Sequence, residues 1–212
     1  MAREEVTEIK KRKTRSDKKR DIKPTISLDL KNCIYQLSYI TNTPVKDIIE
    51  TLCVKGIHSR KVIEYLSQYF RRSYEFKSTV YMGDPEKESL QRKYSSNKNE
   101  RVTTRFTNDS YEAIAQLANA LDVTPSKATA LLLDASIRNT NLLDAFVKKH
   151  LHDHLDNNRM KELRQVLKYI NHKNPYDEEI SWFTLFSFIL EEVKESTSNV
   201  KNVIINWLDK HR

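Results

Sequence analysis

Hydrophobic positions change rhythm within Arg101–Ile137, RVTTRFTNDSYEAIAQLANALDVTPSKATALLLDASI. Arg101–Phe106 alternates, so a strand here turns Val102, Thr104 and Phe106 inward and leaves Arg101, Thr103 and Arg105 outward. Further on, Ile114, Leu117, Ala118 and Leu121 form one face of an amphipathic helix. Thr107-Asn108-Asp109 supplies side chains that can cap it. Asp122-Val123-Thr124 closes a turn, and Thr124 with Pro125 suits the N-cap and first position of a second helix. The pattern predicts strand, helix, turn, helix.

The same order is written earlier, in Lys23–Ile57, KPTISLDLKNCIYQLSYITNTPVKDIIETLCVKGI. Ile34, Leu37 and Ile40 make the first helical face, and Thr43-Pro44-Val45-Lys46 opens the second helix as Thr124-Pro125-Ser126-Lys127 does in the later copy. The strand admits two registers. One turns Ile22, Pro24 and Ile26 inward with Lys23 and Thr25 outward, whereas alternation read directly turns Ile26, Leu28 and Leu30 inward with Thr25, Ser27 and Asp29 outward. A unit of this length cannot bury its own apolar face. Two can, by pairing strands and interlocking helices, and the segment between Ile57 and Arg101 is long enough to span the distance if both belong to one chain.

The remainder reads as helix and connection. Val62, Ile63, Leu66, Tyr69 and Phe70 extend the first unit along one helical face. Residues 79–100, with GDPEKES and YSSNKN, read as turn and polar linker. Helical patterns follow at Leu142–Leu155, Arg159–Asn171, Glu178–Glu195 and Val200–Lys210. Ile180, Trp182, Phe183, Leu185, Phe186, Phe188, Ile189 and Leu190 are apolar almost all round, which suits a core or a subunit contact, so a homo-oligomer through the C-terminal helices is one expectation. The expected organisation is a basic arm over 1–22, a first unit with helical extension over 23–78, a linker over 79–100, a second unit over 101–138 and a helical region over 139–212. The expected fold is mainly α with two short β-strands.

Composition narrows the function classes. The 212 residues carry 38% hydrophobic and 31% charged residues, the balance of a globular chain. Two glycines and no GxGxxG or GxxxxGK pattern argue against Gly-rich phosphate loops. No apolar run approaches a membrane span, the basic N-terminus lacks the apolar core of a secretory signal, and only Cys33 and Cys53 are present. A reducing cytoplasm is expected, with both cysteines as core thiols, and neither catalysis nor a cofactor is suggested. His150, His152 and His154 in HLHDH lack further ligands and read as a solvated helix end. Tyr65, Tyr69, Tyr74 and Tyr81 around Arg71-Arg72 read as packing residues.

The net charge of +8 is concentrated near the N-terminus, where Lys10, Lys11, Arg12, Lys13, Arg15, Lys18, Lys19 and Arg20 are interrupted by one acid, Asp17. Such an arm suits phosphate contacts and counterion release on nucleic acid. On the second strand, Arg101, Thr103 and Arg105 fit a ribbon in the major groove, since arginine grips guanine O6 and N7 and threonine reaches an edge or a thymine methyl. The same alternation fits an ordinary amphipathic edge strand. The first strand's candidates are Lys23, Thr25 and Ser27. The helix starts at Thr124, Ser126 and Lys127 and at Thr43, Val45 and Lys46 offer free N–H groups and nearby cations to DNA phosphates, or are plain capped helix starts.

RVTTRF, YEAIAQLANAL and DVTPSKATALLLDASI, in that order and length, resemble the ribbon–helix–helix (MetJ/Arc) superfamily of DNA-binding proteins, in two tandem copies. Asp122 stands where that family often has glycine, and Thr104 where a larger apolar residue is usual. The resemblance implies tandem ribbon–helix–helix units binding double-stranded DNA, and a bacterial, plasmid or phage transcriptional regulator associated with the nucleoid. Plasmid replication or partition proteins and relaxosome accessory factors share the type. A helical adaptor binding RNA or an acidic protein is the expectation from a different class.

Overall fold

The computed structural model describes residues 18–93, 99–150, 157–172 and 174–176. Among them the chain is mainly helical with short antiparallel strands. The strands β1 (Arg20–Ile22) and β2 (Thr25–Ser27) lead into α1 (Leu28–Thr41) and α2 (Val45–Ile57). Then come α3 (Arg60–Ser67) and a hairpin of β3 (Tyr74–Phe76) and β4 (Thr79–Tyr81). The second unit is β5 (Asn99–Arg101), β6 (Thr104–Phe106), α4 (Asn108–Leu121) and α5 (Pro125–Ile137), and α6 (Thr140–His150) and α7 (Asn157–Asn171) follow.

The two units pair within the chain. β1 runs antiparallel to β6, with Arg20 opposite Phe106 and Ile22 opposite Thr104, and β2 runs antiparallel to β5, with Thr25 opposite Arg101 and Ser27 opposite Asn99. Both ladders share one register and so form a single ribbon. It is interrupted where Pro24 has no N–H to donate, although the Pro24 carbonyl still accepts from the Val102 N–H at 3.1 Å. That interruption, and the β3–β4 hairpin, raise the strand count to six among the described residues, against the two expected. β1 begins at Arg20, inside the stretch read as arm, because its partner strand reaches Phe106. β4, with Asn99 and Glu100 of β5, likewise occupies parts of the stretch read as linker, and β3 lies in the stretch read as helical extension.

Every helix boundary in the second unit follows its counterpart by the same interval: 28 and 108, 41 and 121, 45 and 125, 57 and 137. The two Thr-Pro pairs, at 43–44 and 124–125, are out of step with that interval by one position. Thr124 caps α5, its hydroxyl accepting from the Lys127 N–H, whereas the equivalent place in α2 falls on Pro44, with no side-chain cap. The turns match well. Asn42 and Asp122 both take the left-handed conformation, at φ 50° and 56°, which short polar side chains tolerate. Arg71 and Arg72 hold the Asp122 carboxylate at 3.0 and 2.6 Å, and their backbone N–H groups donate to the Ala120 carbonyl at the end of α4.

Burial decides the register of the first strand. Ile22, Pro24 and Ile26 are buried and Lys23 is exposed, the first of the two registers. The alternative pattern ending at Leu30 fails because Ser27 accepts a hydrogen bond from the Leu30 N–H and starts α1, so Leu28 and Leu30 lie on a helix. In the second strand Val102, Thr104 and Phe106 are buried. Thr104, small and polar for such a site, donates its hydroxyl to the Lys46 carbonyl at 3.1 Å.

Beneath the ribbon, α2 crosses α5 closely enough that a Cβ built on Gly56 would lie 1.9 Å from Ser136 Oγ. Gly56 and Ser136 hold equivalent places in the two units, so each helix offers a small residue at the same crossing. α7 packs on α1, and α6 on α2 and α5. Arg138 fastens α7: its guanidinium reaches Asp134 Oδ1 at 3.1 Å and the Tyr169 and His172 carbonyls at 3.2 and 2.7 Å. Cys33 and Cys53 are buried free thiols, and burial pushes both pKa values well up. Of the tyrosines, Tyr65 packs edge-on against Tyr69, and Tyr74 and Tyr81 pack on Phe70.

Candidate nucleic-acid interface

One face of the ribbon is core and the other is open. Asp21, Lys23, Arg101, Thr103 and Arg105 are exposed on the outer face and Thr25 is half-buried there. The register sets Asp21 opposite Arg105 and Thr25 opposite Arg101, with Lys23 and Thr103 facing each other at the centre. Three cations and one acid thus project from a strip two strands wide. Arg105 Nε donates to Asp21 Oδ1 at 2.7 Å, with both side chains more than half exposed. So exposed a pair stabilises the fold by at most about 1 kcal/mol and leaves both groups accessible. Arg101 makes no ion pair among the described residues. Ser27, expected as a reader, is at the ribbon's end with its hydroxyl engaged as the α1 cap.

The two ribbon ends are fastened by charges of opposite sense. Arg20 donates to Asn108 Oδ1 at 3.0 Å and Glu112 Oε1 at 3.1 Å and lies over the Tyr111 ring, tying the first strand to α4. Its counterpart in the second unit is Glu100, which accepts from Lys31 of α1. That bond raises the Lys31 pKa above the usual lysine value. Lys19 pairs with Glu50 of α2 at 2.5 Å. Sequence reasoning assigned Lys19 and Arg20 to an arm. The equivalence of Arg20 with Glu100 is the signal that would have placed Arg20, had the repeat been aligned on the helices instead of the Thr-Pro pairs.

The helix starts differ from one another. At α5 the chain supplies its own acceptors: the Thr124 N–H gives to Gln91 Oε1 at 2.9 Å, Ser126 Oγ donates to the Lys23 carbonyl at 2.7 Å, and Lys127 Nζ donates to the Lys93 carbonyl. Lys127 is half-buried, and that burial lowers its pKa from the ordinary lysine value. At α2, Thr43 and Val45 are half-buried and Lys46 is exposed. The Thr43 hydroxyl donates back to the Thr41 carbonyl at 3.2 Å. The cations Lys10, Lys11, Arg12 and Lys13, the pair His152 and His154, and the apolar cluster Ile180–Leu190 lie outside the described residues. His150 stacks on Phe146, and no cluster of metal-binding side chains forms among the described residues. No described helix is long and apolar enough to cross a membrane.

Comparison with protein-family models, with curated proteins and with solved structures found no match to this chain.

Proposed function

We propose that this chain is a sequence-specific double-stranded DNA-binding protein of the ribbon–helix–helix type, acting as a transcriptional regulator, whose intramolecular ribbon enters the major groove. One observation carries the reading. The paired strands bury every second residue and aim Lys23, Arg101 and Arg105, with Thr25 and Thr103, from one exposed strip. A two-stranded ribbon fits a major groove about 12 Å wide, and arginine, lysine and threonine are side chains that address base edges there. Phosphate contacts come from Lys46 at the start of α2 and from the N-terminal cations; at α5, DNA competes with Gln91 and the Lys93 carbonyl for the groups they hold.

The test is duplex binding measured by fluorescence anisotropy on a sequence enriched from a random library and on a scrambled control. Arg105→Ala loses about 1–3 kcal/mol on the enriched duplex and much less on the control. Equal losses on both make Arg105 a phosphate contact. Tighter binding to single-stranded RNA than to any duplex defeats the proposal in favour of an RNA-binding adaptor.

A further inference from the structure

We infer that the DNA site is non-palindromic, with two guanines on the same DNA strand three to four base pairs apart, and that Asp21 positions Arg105 for one of them. The inference rests on the DNA-binding reading above. It follows from where the register puts charge. A ribbon built from two identical units places equivalent residues on both strands, so its readers address the two DNA strands alike. Here Arg101 and Arg105 both belong to the second unit, and their counterparts in the first unit are Asp21 and Thr25. Each strand of a ribbon lying along the groove is nearer one groove wall, so both arginines face the same DNA strand. Four positions apart on a strand, they stand about 13 Å apart at ~3.3 Å per residue. With a rise of ~3.4 Å per base pair and a groove that winds around the axis, this spans three to four base pairs.

The pairing itself keeps the arginines together. Two second units paired with each other would set Arg101 directly opposite Arg105 at both ends, a like-charge cross-strand contact. They would also bring Glu100 to the α4 face that carries Glu112. Two first units would bring Arg20 to the α1 face that carries Lys31. The observed pairing instead joins Arg105 to Asp21, Arg20 to Glu112 and Lys31 to Glu100. The two ribbon ends therefore differ: one presents Arg105 braced by a carboxylate at 2.7 Å, the other presents Arg101 beside Thr25. A carboxylate on Nε leaves the terminal guanidinium nitrogens pointing onward for a guanine, so Asp21 acts through Arg105 as a positioning residue.

The experiment selects duplexes from a randomised library with the full chain and repeats the selection with Arg101→Ala, Arg105→Ala and Asp21→Asn. The wild type enriches a motif that differs from its own reverse complement, with both guanines on one strand. Each arginine variant erases one guanine preference of roughly 5- to 100-fold and leaves the other. Asp21→Asn weakens discrimination at the Arg105 guanine alone, while its thermal midpoint stays near that of the wild type. A motif equal to its reverse complement, or arginine-dependent guanines on opposite strands, overturns the asymmetric site while DNA binding stands. Unchanged discrimination in Asp21→Asn overturns the positioning role. No enriched duplex at all removes the DNA-binding reading itself.

Discussion

Replacing Gly56 by alanine tests whether the crossing of α2 and α5 sets the geometry of the ribbon above it. In an isolated helix the change would stabilise by about 1 kcal/mol. Here the new methyl falls 1.9 Å from Ser136 Oγ, 3.0 Å from Ser136 Cβ and 3.3 Å from Leu132 Cδ1. The Ser136 hydroxyl, now donating to the Leu132 carbonyl at 2.6 Å, has to rotate away, losing a bond worth about 1 kcal/mol. The remaining overlap with Cβ pushes the helices apart, at the ~1–3 kcal/mol typical of an overfilled core. The net is a destabilisation of about 1–3 kcal/mol, read by urea denaturation, or a Tm lowered by ~2–4 °C per kcal/mol for a chain of this size. Ser136→Gly removes both offending Ser136 atoms, so Gly56→Ala with Ser136→Gly should be less destabilised than the two single changes summed, by about 1–2 kcal/mol. A Gly56→Ala protein as stable as the wild type, or a double variant showing simple additivity, refutes the close crossing. Because the other ends of α2 and α5 bond to the ribbon, Lys46 to Thr104 and Ser126 to Lys23, a shift of the two helices should lower duplex affinity in the same order as stability.

Deleting residues 1–17 leaves β1 intact and should weaken binding to every duplex while flattening the slope of log affinity against log salt; an unchanged slope means those cations do not meet DNA. Arg138→Met takes the guanidinium from Asp134, from the Tyr169 ring and from the Tyr169 and His172 carbonyls and should cost about 1–3 kcal/mol, mostly through the part-buried Tyr169 carbonyl and the lost packing on its ring, since Asp134 keeps the Tyr169 hydroxyl. Duplex specificity should be unchanged in that variant, and a changed base preference would show that α7 reaches the interface. Cys33 and Cys53 should resist a thiol reagent at pH 8 until the protein unfolds. Because burial raises both folded pKa values, the unfolded thiols ionise first, so stability contributed by these groups is present below the ordinary thiol value of 9.0 and declines as pH rises above it. A Cys33→Ala, Cys53→Ala protein with the same alkaline loss of stability would assign that loss elsewhere.

Local pattern was enough to write much of this molecule. Alternation at Val102, Thr104 and Phe106 fixed an inner and an outer face, because consecutive side chains of a strand must point to opposite sides. Helical spacing located α1, α2, α4 and α5, and the cap at Thr124 and the left-handed turn at Asp122 follow from short-range hydrogen bonding. The tertiary structure decided what spacing cannot carry. It placed Ile22, Pro24 and Ile26 inward and turned Leu28 and Leu30 into helix, because a core on one side and a cap bond at Ser27 outweigh a run of alternating letters. It shifted the repeat by one position from the Thr-Pro alignment, since helices register on the contacts they bury and not on a shared Thr-Pro pair. It drew Arg20 out of a basic tail onto Asn108 and Glu112, and covered the start of α5 with Gln91 and Lys93. Those partners are far apart along the chain, and only burial of the two apolar faces against each other brings them within hydrogen-bonding reach.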